Sequence, residues 1–191
     1  TDVQAELFAM DTELAERFHT YQTDLGLSEK DATTLTSDRA LSDFFEAARS
    51  ATAHTRTVAN WTINGVQAHA KETGFDALRF SALDIAALAD CIEEGIVSSK
   101  GAKAVFELLS TQGGEPRALI AEHGLSQITD EDAIQAFIDA FLADHPGQLA
   151  QYRGGNPKLF GFFVGGVLRA SGGRAAPDIV NRLLRAALNG Q

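Results

Sequence analysis

The residues that could perform chemistry are few and scattered in this chain. A metal site or an acid–base pair requires histidine, cysteine or carboxylate side chains at spacings that bring them together. The single cysteine, Cys91, lies on the apolar face of a predicted helix, as a small core residue would, and no HExxH motif occurs. The histidines show no such spacing: His19, His54, His69, His123 and His145. We therefore predict no catalytic site, no metal site and no cofactor within this chain.

The residues best suited to bind a ligand are cations near the C-terminal end. Residues 151–191 contain six basic residues and one acidic residue, a formal balance of +5, whereas residues 1–150 contain ten basic and 25 acidic residues, a balance of −15. Such polarity matters more than the net charge when a polyanion has to find one face. The candidate nucleic-acid-binding residues are Arg153, Lys158, Arg169, Arg174, Arg182 and Arg185. The alternative is an acidic solvated surface followed by a basic helix pair.

Glycines accompany these cations in the segment KLFGFFVGGVLRASGGRAAP, residues 158–177. Glycine inside a helix costs about 1 kcal/mol relative to alanine, so its repetition needs a local reason. One explanation is close approach by another helix, and the other is close approach by a sugar-phosphate backbone held by Arg169 and Arg174. Neither GxxxxGK[ST] nor GxGxxG is present. The predicted close-approach glycines are Gly161, Gly165, Gly172 and Gly173.

Local signals predict the helices that position these residues. Pro157 and the Gly172–Gly173 pair bracket a helix of about four turns, with Phe160, Phe163, Val164 and Val167 on its buried face. The stretch SALD at 81–84 predicts a capping box, and Ser37 predicts another helix start. Apolar periodicity predicts a further helix over 55–71.

Helical periodicity covers nearly the whole chain, with almost no strand alternation. The glycine at 74 and the mixed residues that follow it, up to Phe80, form the best candidate for a domain boundary. We therefore predict an all-α fold of two small helical domains, residues 1–76 and 77–191.

Membrane insertion is not expected. The uncharged run from Leu159 to Leu168 is half the length of about 20 residues that a spanning helix needs. The first residues lack the basic and then apolar pattern of a secretion leader, and one cysteine cannot form an internal disulfide. We expect a soluble, cytoplasmic protein without a membrane partner.

Five blocks of the sequence resemble, in order, the C-terminal region of the GatB/YqeY family, found at the tail of the GatB component of the glutamyl/aspartyl-tRNA amidotransferase. The blocks are LGLSEKDATTLTSDRALSDFFEAA at 25–48, ANW at 59–61, GIVSSKGAKAVFELL at 95–109, GLSQITDEDAI at 124–134 and YRGGNPKLFGFFVGGVLRASGGRAAPDIVNRLL at 152–184. The resemblance implies a helical linker domain followed by a YqeY-like tail domain. It also implies that this tail binds the elbow side of tRNA while another domain performs the chemistry.

The chain departs from the amidotransferase pattern at two places. FAMDTELAERF at 8–18 stands where a proline-marked lead-in is expected, and Gly166 and Leu168 stand where glutamine and methionine are expected. The same module is appended to some bacterial glutaminyl-tRNA synthetases, and these departures favour that parent enzyme.

From the resemblance we expect a non-catalytic appendage of a glutaminyl-tRNA synthetase that binds tRNA for glutamine. Its cations would neutralise phosphates and raise affinity without reading bases. The rest of the parent enzyme, including its use of ATP, would lie N-terminal to this chain. The alternatives are the tail of the amidotransferase GatB component and a helical module that docks onto a protein through its glycines.

Overall fold

The computed structural model describes residues 11–190 together with Ala5 and Ala9, and these residues form helices and loops without a β-strand. This confirms the predicted all-α fold. The chain divides into two compact units. The first unit runs up to Glu94 and takes in Val105–Leu119, and the second contains Gly95–Ala104 and the chain from Ile120 onward. The division at residue 76 stays a prediction.

Side-chain caps fix several helix starts in the first unit. Ser81 and Asp84 form the predicted capping box, in which each side chain accepts a hydrogen bond from the other residue's backbone N–H. Asp38 caps the helix that was predicted to start at Ser37, because its carboxylate accepts the N–H of Leu41. The helices are α1 (Thr12–Thr23), α2 (Glu29–Leu35), α3 (Arg39–Ser50), α4 (Thr55–Trp61), α5 (Gln67–Thr73) and α6 (Ala82–Glu93).

The core of the first unit forms where apolar faces of these helices meet. Tyr21 of α1 and Phe45 of α3 are fully buried and pack edge to face, with ring centroids 5.0 Å apart. Val58 of α4 and Ala89 of α6 belong to the same cluster. Burial of large apolar side chains such as these stabilises the fold by about 1.5–3 kcal/mol each.

The helix predicted over 55–71 contains a π-helical turn, Thr62–Val66, between α4 and α5. Gly65 lies in this turn, and a Cβ there would be 3.1 Å from Phe106 and 3.2 Å from Trp61. These two aromatic rings pack 5.3 Å apart. The missing side chain therefore leaves room for an aromatic contact that periodicity did not predict.

The remaining helices are α7 (Ser99–Gln112), α8 (Pro116–Glu122), α9 (Glu131–Asp144), α10 (Pro146–Arg153), α11 (Phe160–Ala170) and α12 (Pro177–Asn189). Both α7 and α8 are divided between the two units. The second unit is built around three helices that pack against one another, α9, α11 and α12. Its core consists of apolar residues from these helices: Ile134, Ile138, Phe163, Val167, Val180, Leu184 and Leu188.

Short extended segments complete the second unit. The N–H of Gln127 donates to the carbonyl of Ile96 at 2.8 Å. On the other side, the N–H of Ile128 donates to the carbonyl of Arg174, and its own carbonyl accepts the N–H of Ala176. Residues 126–128 thus lie between residues 96–97 and the loop that joins α11 to α12.

We predict that Gly166→Ala destabilises the protein by about 1–3 kcal/mol, although alanine is the better helix former. The new Cβ would lie 2.0 Å from Cζ of Phe141, whose ring is packed among other aromatic rings. Gly161→Ala is the matched control, because no atom of the described chain lies within 4 Å of its Cβ position, and it should stabilise by up to about 1 kcal/mol. Urea unfolding followed by circular dichroism measures both, and equal stabilities would contradict the packing argument.

Candidate nucleic-acid interface

The helix α11 and the segments directly before and after it carry all four predicted close-approach glycines and three of the predicted cations, Lys158, Arg169 and Arg174. A 3₁₀ turn at Pro157–Leu159 leads into it, and Gly172 and Gly173 end it with φ of +68° and +80°. The N–H of Gly173 donates to the carbonyl of Leu168 at 2.7 Å, which satisfies a carbonyl at the helix end. Proline and glycine therefore bracket the helix as predicted.

One face of α11 is buried and the opposite face is open to solvent. Phe163 and Val167 are fully buried, whereas Lys158, Gly161 and Arg169 are exposed. Lys158 lies in the 3₁₀ turn that leads into α11, and Arg169 lies in the last turn of the helix. We call this exposed face, Lys158, Gly161, Gly165 and Arg169, the cationic stripe.

Close helix packing occurs beside the cationic stripe, not on it. Within the described chain, nothing lies within 4 Å of a Cβ built on Gly161, and Gly165 meets only the guanidinium of Arg169, at 3.4 Å. The tight approach is at Gly166, against Phe141 of α9. Packing by another helix of the described chain therefore does not explain Gly161, and approach by a sugar-phosphate backbone stays a prediction.

Two of the predicted cations are held by groups of the protein itself. Arg153 donates from Nε to the carbonyl of Leu188 at 3.1 Å and from Nη2 to that of Ala187 at 3.3 Å. This places its charge at the negative end of α12. Arg182 forms an ion pair of 2.6 Å with Glu131, and both side chains are more than half exposed. An exposed pair of this kind contributes about 0–1 kcal/mol, so Arg182 is only loosely held.

The other four cations differ in their partners. Arg174 donates to the carbonyl of Gly124 at 3.2 Å, and the guanidinium of Arg185 lies 4.6 Å from the ring centroid of Phe160. Lys158 and Arg169 have side chains without a hydrogen bond or an ion pair to any residue between 11 and 190. These last two are therefore the cations of the stripe that are free to bind an anion.

Phe162 belongs to an aromatic cluster. Its ring centroid lies 5.6 Å from Phe141, 5.3 Å from His145 and 5.4 Å from Phe163. Phe162 is half-buried by these neighbours. Packing within the unit therefore accounts for this aromatic side chain.

Sequence reasoning missed one cation beside the loop. The side chain of Lys100 in α7 lies against Gly173, and a Cβ there would be 2.4 Å from Cδ of this lysine. Lys100 and Lys103 are three residues apart in a helix, in the predominantly acidic first 150 residues, and that spacing was the available signal.

The described part of the chain offers neither a metal site nor a membrane span. No group of three or more histidine, cysteine or acidic side chains there is placed to hold a metal ion. Cys91 is buried, and desolvation raises the pKa of its thiol. None of the helices between residues 11 and 190 is both long and apolar enough to cross a bilayer.

The fold and the site define this chain as an all-α protein whose second unit exposes a cationic helix face. A family model described as the GatB domain matches residues 43–188, most of the chain. The chain therefore belongs to the GatB/YqeY family, as the sequence blocks predicted.

Similar proteins from bacteria are GatB components of an aspartyl/glutamyl-tRNA(Asn/Gln) amidotransferase. The protein from Thermosynechococcus vestitus is 42% identical over 177 residues, which is 92% of this chain and 35% of that protein. Those from Thioalkalivibrio sulfidiphilus and Parasynechococcus marenigrum are 42% and 39% identical and cover 89% and 90% of this chain. This chain thus spans about a third of the length of these curated relatives.

We predict that Arg153→Ala lowers the free energy of unfolding by about 1–2 kcal/mol, because it removes two charge-assisted hydrogen bonds at the end of α12. Lys158→Ala is the control that removes an equal charge without a protein partner, and it should change stability by less than about 0.5 kcal/mol. Chemical denaturation compares the two variants. Equal effects would show that the Arg153 contacts do not stabilise the helix end.

Proposed function

We propose that this chain is the tRNA-binding C-terminal module of an amidotransferase GatB component that acts on tRNA for asparagine or glutamine. The family match and the names of the relatives support this parent enzyme over a glutaminyl-tRNA synthetase. Catalysis and the use of ATP would lie in the part of the relatives that this chain does not span.

The sequence departures that favoured a synthetase say less about the parent enzyme than the family match and the relatives do. Gly166 contacts Phe141 so closely that a glutamine would require this ring to move, so the substitution has a local packing reason. The other departure begins at residue 8, and only Ala9 and the residues from Asp11 onward lie in the described part of the chain. Neither departure requires a different parent.

The observation that carries the RNA-binding proposal is the cationic stripe. Lys158 and Arg169 lie at its two ends with no acidic partner among the described residues, and Gly161 between them leaves the helix backbone uncovered. Phosphates could approach this surface more closely than a face covered by side chains. Cations on a helix face bind phosphates without reading bases, which suits recognition of a folded RNA by shape and backbone.

Arg174, Arg182 and Arg185 would extend this electrostatic contact. Each keeps N–H donors beyond those used within the protein, because a guanidinium has five. The acidic first 150 residues would repel the same polyanion and so restrict it to the basic face. Charge would thereby orient the RNA as well as attract it.

We predict that this chain binds tRNA with an affinity that falls steeply as salt rises, because phosphate contacts release counterions. Lys158→Ala and Arg169→Ala should each weaken binding, and each should make the negative slope of log K against log salt shallower by about 0.7–0.9. The urea unfolding curve of each variant is the stability control, and it should match that of the unchanged chain. Absence of salt-sensitive binding at low salt would reject the proposal and favour a protein-docking surface.

We also predict that Gly161→Leu weakens tRNA binding while it leaves the protein folded. The leucine would project from the centre of the cationic stripe and hold a sugar-phosphate backbone away from the helix. Gly161→Ala is the matched control, which adds one methyl group and should bind more tightly than the leucine variant. Filter binding at one low salt concentration compares them, and equal affinities would show that the RNA does not approach this glycine.

A further inference from the structure

Lys100, far from the basic C-terminal residues in sequence, lies against the loop that follows α11. We propose that Lys100, which packs against Gly173, and Arg174, which directly follows Gly173, bind one phosphate beside the Gly172–Gly173 turn. This inference rests on the proposed function, and it adds a lysine of α7 to the RNA contact.

The alkyl chain of Lys100 runs along the turn. A Cβ on Gly173 would lie 2.4 Å from Cδ of this lysine and 3.5 Å from both its Cβ and its Cε. Gly173 also has φ of +80°, a conformation that side chains rarely adopt. The turn therefore accommodates the lysine stem, and the ammonium group extends beyond it into solvent, where Lys100 is exposed.

Backbone hydrogen bonds hold the start of α7 close to this turn. The hydroxyl of Ser98 accepts the N–H of Gly101 at 3.1 Å and so fixes the first turn of α7. Gly101 has no side chain, and a Cβ there would lie 3.2 Å from the carbonyl of Leu125. The segment after Leu125 then bonds to Ile96 on one side and to Arg174 on the other.

The turn itself has no free backbone donors for an anion. The N–H groups of Gly172, Gly173 and Arg174 donate to the carbonyls of Arg169, Leu168 and Ser171. A nest of backbone amides is therefore absent at these three residues, and side chains must supply the binding energy. The positive φ angles here serve to end the helix and to admit Lys100.

Two cations adjoin this turn, and neither of them is neutralised by a carboxylate of the described chain. Arg174 directly follows Gly173, with one guanidinium N–H bonded to the carbonyl of Gly124, whereas the guanidinium of Arg169 lies beside Gly165, one helical turn earlier. Neither Lys100 nor Arg174 forms an ion pair with another residue between 11 and 190. Cations placed together in this way attract an external anion.

A phosphate of an RNA backbone fits this surface better than a bulky acidic protein segment. Gly172 is exposed, and nothing in the described chain lies within 4 Å of its Cβ position. Arg169 is the last residue of the cationic stripe and precedes Gly172 by three positions, so a strand that follows the stripe would reach the turn at its end. Lys100 and Arg174 thus continue the proposed RNA contact beyond α11.

The test compares Lys100→Gln with Lys103→Gln in the full chain. Both lysines are exposed residues of α7 in the second unit, and no side-chain partner is seen for Lys103 among the described residues. Lys100→Gln should make the negative slope of log K against log salt for tRNA shallower by about 0.7–0.9, and Lys103→Gln should leave this slope unchanged. Lys100→Arg, which keeps the cation, should bind as the unchanged chain does.

A double-mutant cycle with Arg174→Gln tests whether the two cations share a phosphate. If they do, the double variant should lose less affinity than the sum of the two single losses. Salt-sensitive binding of the unchanged chain with no effect of Lys100→Gln would overturn this inference and leave the proposed function intact. No salt-sensitive binding of the unchanged chain would remove the proposed function itself. Lys100→Gln should unfold at the same temperature as the unchanged chain, which excludes loss of the fold as the cause of its weaker tRNA binding.

Discussion

Burial of one face of α11 is the constraint on which the surface of the second unit depends. Phe163 and Val167 are fully enclosed by the core, and Gly166 admits the ring of Phe141 close to the helix backbone. Because side chains recur every 3.6 residues, these contacts force Arg169 to face solvent, and Lys158 is exposed in the turn that leads into the helix. The cations are thus displayed by packing on the opposite side of their helix.

The basic residues near the C-terminal end have two different physical roles. Arg153 meets the carbonyl end of α12, where a cation stabilises the helix, while Arg169 has no partner among the described residues. Arg174 is intermediate, because one donor holds Gly124 and the others remain. A count of positive charges therefore overstates how many are available to a polyanion, and the partners of each side chain decide the difference.

Local chemistry made part of this structure predictable from sequence. The capping box at Ser81 and the helix ends at Pro157 and Gly172 depend on residues within a few positions, and the structure has them as predicted. The Gly166–Phe141 and Gly173–Lys100 contacts join residues far apart along the chain. Periodicity identifies a buried face but not the side chain that will meet it, so these contacts, and with them Lys100, were not predicted.

The second unit is discontinuous in sequence, because Gly95–Ala104 belongs to it and Val105–Leu119 belongs to the first unit. A cut between residues 104 and 120 would separate Val97, a buried residue, from the rest of its own unit. A gene fusion that transferred only the basic C-terminal residues would lack this piece. A transferred segment that keeps the second unit whole must include Gly95 and therefore also carries residues 105–119, which belong to the first unit.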